Sequence, residues 1–226
     1  MRTVVHLLRH GEVHNPTGIL YGRRSGYHLS DLGLKMAQRV ADAVGDRDIT
    51  RVISSPLERA QETAAPLAKA RQVEIVTDVR VIESTNVFEG ETFGVGDGVL
   101  RKPKAWRHLW NPFRPSWGEP YKEVAARMLA GVYDARDAAE GREAVIVSHQ
   151  LPIWITRLHL EGRSFLHDPR RRQCTLCSLT SFTFDGDRLT TVSYSEPAAD
   201  LLPLKDRAAP FSAGGAPVEN KPPAGA

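Results

Sequence analysis

Arg9 and His10 stand side by side where an apolar run, residues 3–8, gives way to Gly11. A neutral imidazole is a nucleophile, and the guanidinium beside it presents a planar fork of donors that matches phosphate oxygens. The pair suits phosphoryl chemistry. A second arginine, Arg59, follows Ser55, Pro56 and Glu58, which read as a capping box with proline at the first helical position. On the first turn of such a helix, Arg59 reaches back toward an anion that the helix N-terminus already attracts. Taken in isolation it is a solvent-facing helical arginine. A second histidine, His149, comes directly after the apolar run AVIVS, and two carboxylates, Glu83 and Glu89, stand within residues 78–90.

These groups need elements that bring them to one place. Val4, Val5, Leu7 and Leu8 are the aliphatic residues of a buried strand, and Gly11 breaks it immediately afterwards. Residues 51–55, 73–76 and 144–148 read as further strands. In open α/β folds, ligands bind beyond the carboxyl ends of such strands. Ser30 is an N-cap for a helix in which Leu32, Met36, Val40 and Val44 recur at helical spacing, ending near Gly45. Residues 121–139 read as a helix with Val124, Met128 and Val132 on one face, and Gln150-Leu151-Pro152 opens another through Trp154, Leu158 and Leu160. Strand-like runs at 173–185 and 188–195 are joined by the hairpin signal Asp185-Gly186-Asp187. Arg9, His10, Arg59 and His149 each fall at a strand end or a helix start, where one crevice collects them.

Four motif elements occur in a familiar order. They are Arg9-His10-Gly11 followed by Glu12 and Asn15, Ser-Pro-x-x-Arg-Ala-x-x-Thr-Ala over residues 55–64, Glu83 followed by Glu89-Gly90, and His149 at a strand end. Together they resemble the histidine phosphatase superfamily, also called phosphoglycerate mutase-like, over about residues 3–195. The resemblance implies a three-layer α/β/α fold with a mostly parallel central sheet. It further implies that His10 is the nucleophile, that Glu83 rather than Glu89 is the general acid, and that His149, Arg9 and Arg59 complete the catalytic set. Asn15, Arg23 and Gln150, with Arg9, Arg59 and His149, are the implied substrate-binding residues. Without the resemblance, Arg23 reads as a loop cation and His149 as a cap for the next helix. Asn86, Val87 and Phe88 replace the usual glycine and tryptophan before Glu89, and Gln150 stands where relatives carry glycine. Trp117-Gly118-Glu119 stands where relatives often have Gly-Glu-Ser, so Glu119 is expected to orient a lid arginine. The lid itself is expected at about residues 92–121, a segment with Trp106, Trp110 and Trp117 among prolines and basic residues.

The reaction implied is hydrolysis of a phosphomonoester through a phosphohistidine, with arginines in place of a metal and no cofactor. Two alternatives compete. A mutase would return the phosphoryl group to the product, although the serine, tyrosine and proline run of mutase lids is missing from residues 101–121. A non-catalytic phospholigand-binding module would keep the pocket without turnover.

The chain has 226 residues, a formal net charge of +3 and a pI near 9.0, which fits one α/β domain. Its basic residues do not form one dense stripe, as nucleic-acid binding would need. One group is Arg101, Lys102, Lys104, Arg107 and Arg114, and another is Arg163, Arg170, Arg171 and Arg172 around Asp168. They read as the rim of a site for a small anionic phosphorylated substrate, or as solvated faces. Cys174 and Cys177 lie in a strand-like run that would point them to opposite faces as buried thiols. No run approaches membrane-spanning length and no signal peptide is visible, so the expected location is the cytoplasm. One domain is expected over residues 1–196, with a disordered tail rich in proline, alanine and glycine over 197–226. The oligomeric state is not legible.

Overall fold

A computed structural model describes residues 1–91, 118–168 and 171–202. Most of the expected lid (92–117), with its tryptophans and its basic group, lies outside the described residues, as do Arg170 and residues 203–226.

Six strands form one sheet: β1 (Arg2–Arg9), β2 (Ile49–Ser54), β3 (Ile75–Thr77), β4 (Glu143–Ser148), β5 (Leu179–Asp185) and β6 (Arg188–Ser195). Their order is β3-β2-β4-β1-β5-β6. β3, β2, β4 and β1 pair in parallel, β5 runs antiparallel to β1, and β6 antiparallel to β5. The sheet is therefore mostly parallel, as expected. Its central strand, β1, is buried along both faces from Thr3 onward, which is why it reads as a continuous apolar run rather than an alternating one.

Among the described residues, four helices cover the two faces: α1 (Asp31–Ala43), α2 (Glu58–Arg71), α3 (Tyr121–Ala138) and α4 (Gln150–Leu160). Met36 and Val40 of α1 and Ala60, Ala64 and Leu67 of α2 pack with Leu8, Val145 and Val147 on one face. Met128 and Val132 of α3 and Ile153 and Ile155 of α4 pack with Val5, Leu7, Ile146 and Phe182 on the other. Leu7 has no exposed surface, so truncating it to alanine costs about 2–5 kcal/mol. Among the described residues no helix is long and apolar enough to cross a membrane.

Several local expectations need correction. Ser30 does cap α1, accepting from Gly33 N at 3.0 Å, but Ser55 caps nothing by the expected box. α2 begins at Glu58 with Leu57 at its cap and no side-chain cap bond; the Ser55 hydroxyl lies one turn earlier, where it meets His149 Nε2 at 2.8 Å and accepts from Leu57 N at 3.4 Å. The third strand starts at Ile75 rather than at residue 73. The run expected as strand from 173 is a loop as far as Ser178, with Cys177 in the left-handed region at φ 54. Both thiols are free and fully buried, Cys174 within one core layer and Cys177 within the other. Within the segment expected as tail, a short 3-10 turn at Ala199–Leu201 lets Ala198 and Leu202 bury against the α1/α2 layer, and residues 203–226 lie outside the described residues.

Candidate active site

β1 and β4 run parallel with Arg9 paired to Ser148, so His10 and His149 leave the same edge of the sheet on neighbouring strands. Their ring centroids are 5.1 Å apart at 58°. The loop behind His10 is pinned by close backbone packing. A Cβ on Gly33 would lie 2.1 Å from the Glu12 carbonyl oxygen, so glycine at that position lets the start of α1 press against the loop. Gly11 N donates to the Thr63 hydroxyl at 3.0 Å, and that hydroxyl donates to the Arg59 carbonyl at 2.6 Å. Thr63 thereby ties the His10 loop to α2.

His10 is 2% exposed. Its Nδ1 lies 2.8 Å from the Gly11 carbonyl oxygen, which can only accept, so Nδ1 carries the proton. Nε2 of the neutral ring keeps its lone pair. Burial first, then the cations of Arg59 and Arg9, hold its pKa well below the ordinary imidazole value. The imidazole stays neutral through the physiological range.

Arg59, on the first turn of α2, has no exposed surface. One nitrogen, Nη2, donates to the Gly22 carbonyl at 2.6 Å and lies 3.4 Å from His149 Nδ1. The guanidinium sits 4.6 Å over the Tyr21 ring. A Cβ on Gly22 would collide with the Glu89 side chain at 2.2 Å, so only glycine presents its carbonyl there. Nε and Nη1 of Arg59 are buried with no hydrogen-bond partner among the described residues. Buried guanidinium donors without partners are costly, and an anion would satisfy them. Arg9 faces the same space, its Nη1 donating to the Cys174 carbonyl at 2.7 Å.

His149 is fully buried, and burial followed by the Arg59 charge lowers its pKa well below the ordinary value. Because Arg59 donates toward Nδ1, the neutral ring carries its proton on Nε2 and donates to Ser55 Oγ.

Glu83 follows the 3-10 turn Val79–Val81. Burial outweighs the neighbouring arginines and raises its pKa, which favours the protonated acid. Its backbone is clamped. Arg23 Nε donates to the Glu83 carbonyl at 2.6 Å and Arg127 Nη1 to the Ile82 carbonyl at 2.7 Å. The Glu119 carboxylate joins both arginines, taking Arg23 Nη2 at 2.9 Å and Arg127 Nε at 2.7 Å. Glu119 therefore orients Arg23 and Arg127, while the lid arginines lie outside the described residues.

Not every expected residue meets the others. His10, His149, Arg9, Arg59 and Glu83 converge. Arg23 borders Glu83 and commits Nε and Nη2 to that clamp, and Asn15 uses both ends of its amide on the Ile19 backbone at 2.7 and 3.2 Å. Gln150 Nε2 lies 3.4 Å from the Cys174 carbonyl beside Arg9. Glu89 accepts from Asn86 N within its own loop. Sequence reasoning missed the roles of Ser55 and Thr63, although both lie in the 55–64 motif. It also missed Tyr21 and Arg127, for which no local signal exists.

The sequence profile of the histidine phosphatase superfamily (branch 1) matches residues 5–197. The chain is 59% identical over 197 residues to the uncharacterized protein Rv0525 of Mycobacterium tuberculosis, covering 87% of this chain and 98% of that one. It is 31% identical over 182 residues to the probable phosphoglycerate mutase GpmB of Yersinia pestis, covering 78% of this chain and 82% of that protein. Among solved structures, mycobacterial glucosyl-3-phosphoglycerate phosphatase Rv2419c, in its complex with VO3, has the same fold, with TM-score 0.69, 24% identity, and 85% of this chain and 98% of that chain covered. By the extent of that profile match and by these likenesses, the chain belongs to branch 1 of the histidine phosphatase superfamily.

Proposed function

We propose that this protein is a phosphomonoesterase that works without a metal, through a phosphohistidine on His10. The observation that carries the reading is the pairing of a neutral His10, with Nε2 left as the lone-pair nitrogen, and two partnerless buried nitrogens of Arg59. In the first step, Nε2 attacks phosphorus and the bond from phosphorus to the alcohol oxygen breaks. The Glu83 proton goes to that oxygen as it leaves. The phosphorylated ring then carries positive charge, which the Gly11 carbonyl stabilises through Nδ1–H. Arg9, Arg59 and the His149 region hold the equatorial oxygens while charge develops on them. In the second step, Glu83 as carboxylate takes a proton from water, the water oxygen attacks phosphorus, and the bond to Nε2 breaks. His10 returns neutral and Glu83 protonated.

A mutase is the second reading, favoured by the 31% identity to a protein named as a probable phosphoglycerate mutase. It shares the first step and differs in what accepts the phosphoryl group. The test is phosphate release from p-nitrophenyl phosphate and from an alkyl phosphate in EDTA, with and without a bisphosphate primer. A phosphatase releases phosphate without primer, and His10→Ala abolishes the release. Turnover that needs the primer makes the protein a mutase, and metal-dependent release persisting in His10→Ala overturns both readings.

A further inference from the structure

The phosphate cradle draws on Arg9 and Arg59, and the loop of a further arginine is tied to it. The Arg172 carbonyl accepts from Cys174 N at 3.1 Å, and the Cys174 carbonyl in turn receives Arg9 Nη1 at 2.7 Å. The loop carrying Arg172 is thus tied directly to the cradle. Arg172 Nε donates to His167 Nε2 at 2.9 Å. His167 Nδ1 donates to the Phe165 carbonyl at 2.7 Å, so the ring is neutral and held as an acceptor. That ring lies 5.8 Å from Tyr121 and 5.9 Å from Trp154, centroid to centroid. Such bracing fixes the guanidinium plane and leaves its terminal nitrogens for something else.

Arg23 and Arg127 share the Glu119 carboxylate, whereas no carboxylate pairs with Arg172 among the described residues. The charges it does feel include those of Glu83 and Arg9. Glu83 marks the side of the site where the alcohol departs. In the proposed reaction Glu83 must also be protonated at the start, so it cannot serve as the counter-ion. A partly buried cation that feels Glu83 and Arg9, with no carboxylate partner among the described residues, matches an anion brought by the substrate.

We propose that Arg172, braced by His167, binds a second anionic group on the alcohol part of the substrate, so the preferred phosphomonoesters carry a carboxylate or a further phosphate. This rests on the phosphatase reading for the word substrate, but not for the binding itself.

The experiment compares esters that differ by one anionic group: 3-phosphoglycerate against glycerol 3-phosphate, and fructose 1,6-bisphosphate against fructose 6-phosphate. The readout is the ratio of kcat/KM within each pair, for the wild type, Arg172→Gln and Arg172→Lys. The same pairs are titrated by calorimetry into His10→Ala, with and without Arg172→Gln, where turnover plays no part. Loss of a hydrogen-bonded charge predicts that the glutamine variant lowers the wild-type ratio by about tenfold to a hundredfold and that lysine restores part of it. The pair that responds tells whether a carboxylate or a phosphate is read. A ratio near one in the wild type, or an equal fall for both members of a pair, overturns the proposal. Absence of turnover on every ester overturns the phosphatase reading instead, and the calorimetric ratio then decides the role of Arg172 by itself.

Discussion

Replacing Arg59 with methionine should separate the stability of the fold from the binding of phosphate. The substitution removes the bond to the Gly22 carbonyl at 2.6 Å, a charged hydrogen bond that contributes about 1.5–3 kcal/mol. It also removes the contact with Tyr21 at 4.6 Å, which adds about 0.5–2 kcal/mol. Against these losses stands the relief of a fully buried cation with two partnerless nitrogens, a desolvation cost of several kcal/mol. The opposing quantities are of similar size, so the free protein should change in stability by less than about 2 kcal/mol in either direction. Phosphate binding has no such compensation. At a ligand concentration of 100 Kd the wild type gains about 2.7 kcal/mol from binding, and the variant should gain almost nothing at that same concentration. The assay is urea unfolding with and without inorganic phosphate. A second readout is NMR titration of the histidines. The Arg59 charge depresses both His10 and His149, so both should titrate at higher pH in the variant. Severe destabilisation of the free protein, by more than about 4 kcal/mol, with phosphate stabilisation retained, would refute this reasoning.

Other consequences follow from the same geometry. Burial raises Glu83 and lowers His10, so kcat/KM should hold at acidic pH, where the nucleophile is still neutral, and decline as Glu83 deprotonates above the ordinary carboxylate range. Glu83→Gln should erase that alkaline decline and slow alkyl phosphates by about 10²–10⁴-fold, with a smaller effect on p-nitrophenyl phosphate, whose leaving group needs no proton. Glu119→Gln weakens the clamp on the Glu83 loop, and should lower kcat for alkyl phosphates more than for p-nitrophenyl phosphate; equal loss on both would place Glu119 outside the positioning of the acid. The hydrogen bond from His6 holds Glu143 below its ordinary pKa. The unfolded chain therefore binds more protons on acidification, and the stabilisation present above the unfolded carboxylate pKa is lost as pH falls through the folded one. In Glu143→Gln, urea midpoints should depend less steeply on pH below about pH 4 than in the wild type.

How much was legible in the sequence depended on how local each signal was. β1, β4 and α1 carry unbroken apolar runs or clear periodicity, and their positions were read within a residue or two. The side chains at their ends, Arg9, His10 and His149, were therefore readable as neighbours in one crevice. Errors arose where a tertiary partner outbid a local rule. Ser55 has the right spacing to cap α2, yet the helix starts at Glu58 and the Ser55 hydroxyl is shared between His149 and Leu57 N. Asn15 and Arg23 have side chains suited to an anion, and the fold adds bonds no local rule foresees, to the Ile19 backbone, the Glu83 carbonyl and Glu119. Cys174 and Cys177 read as strand because the residues around them favour strands, while the loop's carbonyl contacts with Arg9 and Gln150 come from distant segments. Arg172 belonged to an unremarkable basic cluster, and only the fold ties its loop to the Cys174 carbonyl that Arg9 holds.

The most direct test of the central claim is to quench the enzyme with acid and base during turnover of a ³²P-labelled phosphomonoester and to locate the label by peptide mapping. The account requires a base-stable, acid-labile phosphoramidate on His10 that appears before steady state and is absent from His10→Ala. An acid-stable label, a label that persists in His10→Ala, or phosphate release at the wild-type rate from that variant would contradict it.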